Sequence, residues 1–307
     1  MKRATREAYG KMISKLGLEN ANIAVLDADL SKSTKSADFK KVAPERFFNM
    51  GIAEANMIGT AAGLAACGMV PFASTFAMFA AGRGYEQIRN SIAYPKLNVK
   101  IVASHAGITV GEDGGSHQAI EDISLMRGIP GMVILNPCDG NETESAVKAA
   151  FEYNGPVYIR VGRMPVEEVH HKDMEFQIGK GEVLKKDGEV TLIGTGIGVQ
   201  LALEAAEELE KDGIKTTVIN ISTIKPIDKE LLTEEIRKTG KAITIEEHSI
   251  IGGLGSAVAE IISEEGIGKL KRIGIEDVFG QSGKPDDLLK YYGLTKERVV
   301  KEVKKII

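Results

Sequence analysis

Short apolar runs alternate with longer helical stretches along the first half of the chain. Helices are predicted at residues 5–16, 76–93 and 141–153. The apolar runs have the length of buried strands and lie at residues 22–26, 47–50, 69–73, 99–104, 132–136 and 157–161. Apolar strands that alternate with helices predict a mostly parallel, doubly wound α/β sheet.

A charged and irregular stretch at residues 166–188 interrupts this pattern, which then restarts. Further helices are predicted at residues 200–212 and 254–265. Further strands are predicted at residues 190–195, 216–221, 242–246 and 271–275. We therefore predict two doubly wound α/β domains, residues 1–165 and 189–307, joined by a linker at residues 166–188.

Between Gly51 and Gly82 the chain has one charged residue, Glu54, at the predicted start of a helix. Small residues suit a helix that is packed closely on all sides, and here they are Gly59, Ala62, Gly63 and Ala66. A buried carboxylate must find a partner or keep its proton, and either state is useful in catalysis. A carboxylate bonded to the free amides of a helix N-terminus is the alternative, and these residues alone leave both open.

The same stretch is apolar enough to raise the question of a membrane span. Pro71 interrupts it and the polar residues Ser74 and Thr75 follow, so core segments of a soluble protein fit better. Its apolarity also suits a surface that faces another subunit.

Composition excludes several classes of protein. The formal net charge is -4 with mixed signs, so there is no basic footprint for nucleic acid. Two cysteines, Cys67 and Cys138, do not make a disulfide framework and suit a reducing compartment. The first residues contain no apolar signal core, and we expect a cytoplasmic protein.

Three segments occur in a specific order. They are Gly-Ile-Ala-Glu-Ala-Asn-Met at 51–57, Ser-Thr-Phe-Ala-Met-Phe at 74–79 and Gly-Glu-Asp-Gly-Gly-Ser-His-Gln at 111–118. This set resembles the pyrimidine-binding half of transketolase, and the second predicted domain is similar to the C-terminal domain of that family. The resemblance implies thiamine diphosphate as the cofactor, bound between two chains. It also implies transfer of a two-carbon ketol unit from a ketose phosphate to an aldose phosphate, in pentose phosphate metabolism.

The resemblance assigns four residues to the cofactor. Glu54 matches the catalytic glutamate that hydrogen-bonds the aminopyrimidine ring nitrogen opposite the amino group and favours the imino tautomer. Phe76 and Phe79 match the aromatic wall, with Phe79 at the stacking position. Their spacing alone predicts one face of a helix start, where such a pair usually packs in a core. Asp29 matches an aspartate near the thiazolium ring.

The wall and the loop beside it depart from the family pattern in two places. Gly82 stands where the family often has a tyrosine, and whether Tyr85 replaces that aromatic ring stays open. The usual Gly-Pro-Thr-His is Gly-Gly-Ser-His at 114–117.

The resemblance also assigns the sugar phosphate. His117 matches a residue that contacts the sugar near the scissile bond and moves protons there, so it is a second catalytic candidate. Asp113 matches the residue that accepts a hydrogen bond from the C2 hydroxyl group. The expected phosphate grip consists of His105, Arg6, Ser33 and Arg163. Arginine offers a planar fork for phosphate, and a serine hydroxyl adds a donor.

Thiamine enzymes bind the diphosphate through a metal held by a Gly-Asp-Gly segment, which these residues lack. We therefore expect no metal site in this chain, and a partner polypeptide that supplies the diphosphate half with Mg or Ca. The resemblance is to the C-terminal subunit of a split transketolase. Two copies of each subunit, a heterotetramer, follow from the two-fold geometry of the family.

Three alternatives stay open. A subunit similar to 1-deoxyxylulose-5-phosphate synthase usually has an arginine where His105 stands. The beta subunit of a 2-oxo acid dehydrogenase does not need Asp113 and His117 in this form. A non-catalytic scaffold would not need to retain these side chains together. The run Glu-Glu-His at 246–248 has metal-ligand residue types but no partner cluster, and we interpret it as structural or as part of an interface.

Overall fold

The computed structural model describes residues 2–307. The strands, in chain order, are β1 Lys2–Ala4, β2 Ile23–Asp27, β3 Phe47–Asn49, β4 Val70–Phe76, β5 Lys100–Ser104, β6 Val133–Leu135, β7 Val157–Arg160, β8 Pro165–Glu167, β9 Glu182–Lys185, β10 Val190–Gly194, β11 Thr216–Asn220, β12 Thr223–Lys225, β13 Lys241–Ser249 and β14 Lys269–Ile275. The α-helices are α1 Thr5–Glu19, α2 Ser31–Thr34, α3 Ala37–Val42, α4 Glu54–Ala66, α5 Ala77–Arg83, α6 Tyr85–Gln87, α7 Asp122–Arg127, α8 Gly140–Glu152, α9 Ile197–Lys211, α10 Lys229–Thr239, α11 Leu254–Glu265, α12 Pro285–Tyr291 and α13 Lys296–Ile306. A π-helical segment, Ile88–Ala93, and two 3-10 turns, Pro44–Arg46 and Ile108–Val110, complete the described elements.

The first sheet has seven strands in the order β12-β6-β7-β5-β4-β2-β3. All neighbouring pairs are parallel except β12 with β6. All five residues of β2 are buried, as in parallel strands that helices cover on both faces. The expectation of a mostly parallel α/β fold is confirmed.

The second sheet has the order β14-β13-β10-β11-β9, and only the pair β11 with β9 is antiparallel. The two sheets are not separate in sequence, because β12, from the second half of the chain, forms an edge of the first sheet. The pairing of β12 with β6 therefore joins the two halves of the chain.

The charged composition of residues 166–188 predicted an irregular linker, but the stretch contains two strands. Strand β8 pairs with β1, and β9 forms the edge of the second sheet beside β11. Both are edge strands, and apart from the buried Val166 their side chains are exposed or half-exposed, a position that tolerates charged residues. Charge content therefore failed to reveal them.

The helix predicted at 76–93 is broken into shorter pieces. Phe76 ends β4, α5 ends at Arg83, and a π-helical segment follows α6. Between α5 and α6, a Cβ on Gly84 would lie 3.2 Å from Ile58 Cγ1, so this glycine allows close packing against α4. Glycine is also a weak helix former, and the break occurs there.

Helix α4 is packed on one side only within this chain. Met57 and Ile58 are buried, whereas Asn56, Gly59 and Gly63 are exposed. A Cβ on Gly59 or Gly63 would meet no atom within 4 Å. The expectation of close packing on all sides was therefore wrong for the isolated chain.

The low-charge stretch forms α4, β4 and α5 rather than one long helix. Pro71 lies inside β4 and is buried. Within residues 2–307, none of the helices combines the length and the apolarity that crossing a bilayer requires.

Candidate active site

The predicted site residues gather at the carboxyl ends of the parallel strands in the first sheet. Strand β4 ends at Phe76, β5 ends just before His105, and α4 begins at Glu54 shortly after β3. Open α/β sheets bind ligands at this edge, because loops of successive strands meet there. The fold therefore brings side chains that are far apart in sequence to one rim.

Glu54 is the first residue of α4 and is 3 % exposed. Its carboxylate pairs with Arg83, whose Nη1 atom lies 3.0 Å from Oε1 and 3.2 Å from Oε2. The guanidinium carbon of Arg83 also lies 4.2 Å from the centre of the Phe79 ring, close enough for a cation–π contact. Sequence reasoning missed Arg83. The available signal was its position four residues after Phe79, on the same face of a helix.

Four rings form an aromatic shelf, which we define as Phe76, Phe79, His105 and His117. Phe76 and Phe79 stack with centroids 5.7 Å apart, and His105 stacks on Phe76 at 3.9 Å. His117 presents its edge to Phe79 at 5.2 Å. Phe76 ends a strand rather than lying in a helix, so the pair spans a strand-to-helix junction and does not share a helix face. Tyr85 packs into the core of the first domain.

His105 turns the chain sharply at the end of β5. Its φ of 56° lies in the left-handed region, which most residues avoid. Arg6 Nη1 can only donate, so Nε2 of His105 accepts at 3.2 Å, and the Nδ1 proton of the neutral ring donates to Ser104 Oγ at 2.9 Å. Burial, aided by the positive charges of Arg6 and Arg163, lowers the pKa of His105 to about 3. The ring is therefore neutral in the physiological range.

Two arginines border this ring. Arg6 Nη1 donates to the carbonyl oxygen of Ser33 at 2.8 Å, while Arg6 Nε is buried with no hydrogen-bond partner among the described residues. Arg163 Nη1 lies 3.6 Å from Asp113 Oδ2 and also donates to the carbonyl oxygen of Val110. Arg6 thus contacts His105 directly, and the positive charge of Arg163 acts on the same ring.

The loop after β2 brings the backbone of Ser33 to Arg6 and joins Asp29 to the end of β3. Buried Asp27 accepts from Thr34 Oγ1 at 2.7 Å and fixes this loop. Asp29 exchanges hydrogen bonds with Asn49, at 3.1 and 3.0 Å. Of the predicted site residues, Asp29 is therefore the one whose contacts lie with β3.

Both halves of the chain match models of protein families. Residues 1–168 match the model described as transketolase, pyrimidine binding domain, and residues 179–299 match transketolase, C-terminal domain. The chain belongs to the transketolase family.

Similar proteins include chains of similar length and longer transketolases. The putative transketolase C-terminal section of Methanocaldococcus jannaschii is 54 % identical over 97 % of this chain and 94 % of its own length. A 6-deoxy-6-sulfo-D-fructose transketolase subunit, SqwH, of Clostridium sp. is 42 % identical over 96 % of this chain and 92 % of its own. Mouse transketolase is 40 % identical over 99 % of this chain but only 49 % of its own length.

Among solved structures, one described as a split gene transketolase, inactive beta4 tetramer, superposes with a TM-score of 0.92. It is 57 % identical and covers 99 % of this chain and 98 % of its own. The two-domain fold of the transketolase family therefore extends over the whole chain, as the resemblance implied.

One buried cluster away from the transketolase motifs has metal-ligand residue types, namely Cys138, Asp139 and His170. Asp139 Oδ2 accepts from the ring Nδ1 of His170 at 2.7 Å and from its backbone N–H at 2.8 Å. Despite burial, which opposes the charge, the hydrogen bond to Asp139 and the nearby carboxylates raise the pKa of His170 to about 9. Through these bonds Asp139 fixes the segment after β8.

Proposed function

We propose that this chain is the C-terminal subunit of a thiamine diphosphate-dependent transketolase. It transfers a two-carbon ketol unit from a ketose phosphate to an aldose phosphate, and it is active only with a partner that supplies the diphosphate and metal half of the site. The observation that carries this proposal is the buried Glu54 carboxylate beside the face of Phe79.

The place between Glu54 and Phe79 fits an aminopyrimidine ring. The guanidinium group of Arg83 occupies it with a flat, positively charged donor that stacks on Phe79 and hydrogen-bonds Glu54. An aminopyrimidine is likewise flat and offers a ring nitrogen to a carboxyl group. In this role Glu54 holds a proton at the ring nitrogen, and Phe79 fixes the plane of the ring. When bound, the cofactor supplies the carbon nucleophile that carries the two-carbon unit.

The rim beyond the shelf suits a sugar phosphate. Arg6 and Arg163 flank the neutral ring of His105, and the buried Nε atom of Arg6 has a donor to spare. Guanidinium groups bind phosphate oxygens through paired donors. His117 lies at the edge of Phe79, where it can exchange a proton with a substrate hydroxyl group. Asp113 and the Ser33 hydroxyl group complete the proposed contacts.

The partner would dock on the uncovered side of the site. Ile52, just before Glu54, is 76 % exposed, and the open face of α4 continues through Gly59 and Gly63. The similar split gene transketolase is described as inactive in its beta4 form, which agrees with a requirement for another chain. We propose a heterotetramer in which a second polypeptide with a Gly-Asp-Gly segment holds the diphosphate and its Mg or Ca.

Reconstitution tests the proposal. The chain is mixed with a candidate partner that contains the Gly-Asp-Gly segment, with thiamine diphosphate and Mg²⁺. Transfer from xylulose 5-phosphate to an aldose phosphate is then measured for the mixture and for each chain alone. We expect activity only in the mixture. Turnover of pyruvate instead would favour the synthase or the dehydrogenase alternative, and an assembled but inert pair would favour a scaffold.

A further inference from the structure

The segment that carries His105, Asp113 and His117, residues 105–120, is here called the site loop. Its base lies against β13 of the second sheet. Glu247, on β13, is 6 % exposed, and its Oε1 atom accepts a hydrogen bond from the backbone N–H of Thr109 at 2.6 Å. Gly107 makes this approach possible. Its φ is 80°, and a Cβ there would lie 2.3 Å from the Glu247 carboxylate.

The far end of the site loop is tied to the same strand. Arg160 Nη2 donates to the carbonyl oxygens of Ala119 at 3.2 Å and of Glu247 at 3.0 Å. The backbone N–H of Ser249 donates to the carbonyl oxygen of Ile120 at 2.7 Å. Both ends of the loop are thus bound to the same short part of β13, at Glu247 and Ser249.

A second segment of the C-terminal half, residues 276–284, covers the middle of the site loop. The amide of Gln118 donates to the carbonyl oxygen of Gln281 at 3.0 Å and to that of Gly111 at 3.2 Å. A Cβ on Gly115 would lie 2.5 Å from the carbonyl oxygen of Gly280. The middle of the loop therefore packs closely against the second domain as well.

We propose that Glu247 is a positioning residue for the sugar phosphate, because it holds the base of the site loop in the shape that presents His105 and His117. This inference rests on the proposed function and names a role for the C-terminal domain in it. Glu247 contacts neither ring and so acts through the backbone of the loop. Oε1 of Glu247 can accept this hydrogen bond in either protonation state of the carboxyl group, and the bond is stronger when the group is ionised.

The role of Glu247 separates sugar binding from cofactor binding. His105 and His117 lie on the site loop, whereas Glu54 and Phe79 lie on α4 and α5, where Phe79 meets the loop through the ring of His117. Loosening the loop should therefore raise the KM for the ketose phosphate by a larger factor than the Kd for thiamine diphosphate.

Neighbouring Glu246 provides a matched control. It lies on the same strand and is fully buried, and burial raises the pKa of both carboxyl groups to about 7. Its oxygens, however, accept from the N–H groups of Leu254 and Gly255, both at 2.7 Å, inside the second domain. Glu246→Gln therefore perturbs an equally buried carboxylate without touching the site loop.

Hydrogen exchange on the full chain and kinetics of the reconstituted complex test the proposal together. We expect Glu247→Ala to speed exchange at the Thr109 amide and to raise the KM for the ketose phosphate, each about 10-fold, because the buried Thr109 N–H is left without its acceptor. Glu247→Gln keeps one neutral oxygen acceptor, so it should raise both quantities, but by less than Glu247→Ala does. Glu246→Gln should change neither quantity.

Unchanged exchange at Thr109 in both Glu247 variants would overturn the inference, as would a loss confined to kcat. The exchange result needs no activity, so it judges the role of Glu247 even if the reconstituted wild-type pair proves inactive. An inactive wild-type pair counts against the proposed function and not against the role of Glu247. If Glu247→Ala fails to fold, Glu247→Gln still decides. Its amide oxygen is a weaker acceptor than a carboxylate, so Thr109 exchange and the KM should both exceed those of Glu246→Gln, and equality with that control in both would overturn the inference.

Discussion

One nitrogen of Arg83 bridges both carboxylate oxygens of Glu54, at 3.0 and 3.2 Å. The side chain of Arg83 is 51 % exposed, whereas that of Glu54 is 2 % exposed. A solvent-exposed cation therefore pairs with a buried carboxylate. The same guanidinium group covers Phe79. A flat ligand that stacks on Phe79 and bonds to Glu54 must therefore displace Arg83.

Replacing Arg83 should lower the stability of the folded chain but uncover the face of the Phe79 ring. Arg83→Ala leaves the buried Glu54 carboxylate unpaired, and we expect a loss of about 1–2 kcal/mol in the free energy of unfolding, because only one partner is buried. We also expect thiamine diphosphate to bind the reconstituted complex at least as tightly as in wild type. Urea unfolding and calorimetric titration measure the two effects.

The control for this prediction is Arg89→Ala, which removes another exposed arginine from the same region. It should change neither quantity. Weaker cofactor binding in Arg83→Ala than in Arg89→Ala would show that Arg83 assists the cofactor rather than occupying its place.

Removing the Glu54 carboxyl group should abolish turnover while leaving assembly intact. In Glu54→Ala nothing holds a proton at the ring nitrogen, so we expect kcat to fall on the order of 100-fold or more. Light scattering should show the same complex as in wild type, and Glu86→Ala, an exposed carboxylate on α6, should keep full activity. Wild-type turnover in Glu54→Ala would support the scaffold alternative.

The sequence predicted the architecture because that depends on local patterns, whereas the residues at the rim of the site were named by the resemblance to the family. Fully buried strands such as β2 leave an apolar run, and Glu54 is recognisable as a lone charge in an apolar stretch. The partners of Arg83 and Glu247 were not predicted. The spacing of Arg83 from Phe79 indicated a shared helix face but not the bond to Glu54. The interpretation of the run at 246–248 as structural or as part of an interface did not identify the bond from Thr109 to Glu247, which depends on how the two domains pack.

The same reason explains the misplaced elements. Strand β12 joins the first sheet although it follows β11 of the second, a pairing decided by long-range contacts. The break at Gly84 depends on how closely α4 approaches. The open face of α4 contains the same small residues that a fully packed helix would have, so sequence alone could not tell one from the other.

His105 should make the chain sensitive to acid. Its pKa is about 3 in the folded chain and near 6.5 when unfolded, so between these values the unfolded state binds one more proton. Its contribution to stability is therefore complete above pH 6.5 and is lost as pH falls, by about 1.4 kcal/mol per pH unit.

Urea unfolding at pH 7 and pH 5 measures this contribution as a difference between wild type and His105→Asn, a residue that tolerates the positive φ. Carboxyl groups common to both chains cancel in the comparison. We expect wild type to lose more stability than the variant over this interval. Equal losses would mean that His105 titrates alike in the folded and unfolded chains.

His170 should have the opposite effect, at alkaline pH. Its folded pKa of about 9 lies above the unfolded value, because the ring donates to Asp139 and Glu182, at 2.7 and 3.1 Å. This contribution, about 3 kcal/mol at most, is complete below pH 6.5 and is lost as pH rises through 9.

Thermal unfolding at pH 6 and pH 9.5 should show a larger drop in Tm for wild type than for His170→Gln. The exposed neighbour His171 gives the control, since His171→Gln should retain the wild-type drop. A His170→Gln chain with the wild-type pH dependence would place the proton elsewhere in the cluster.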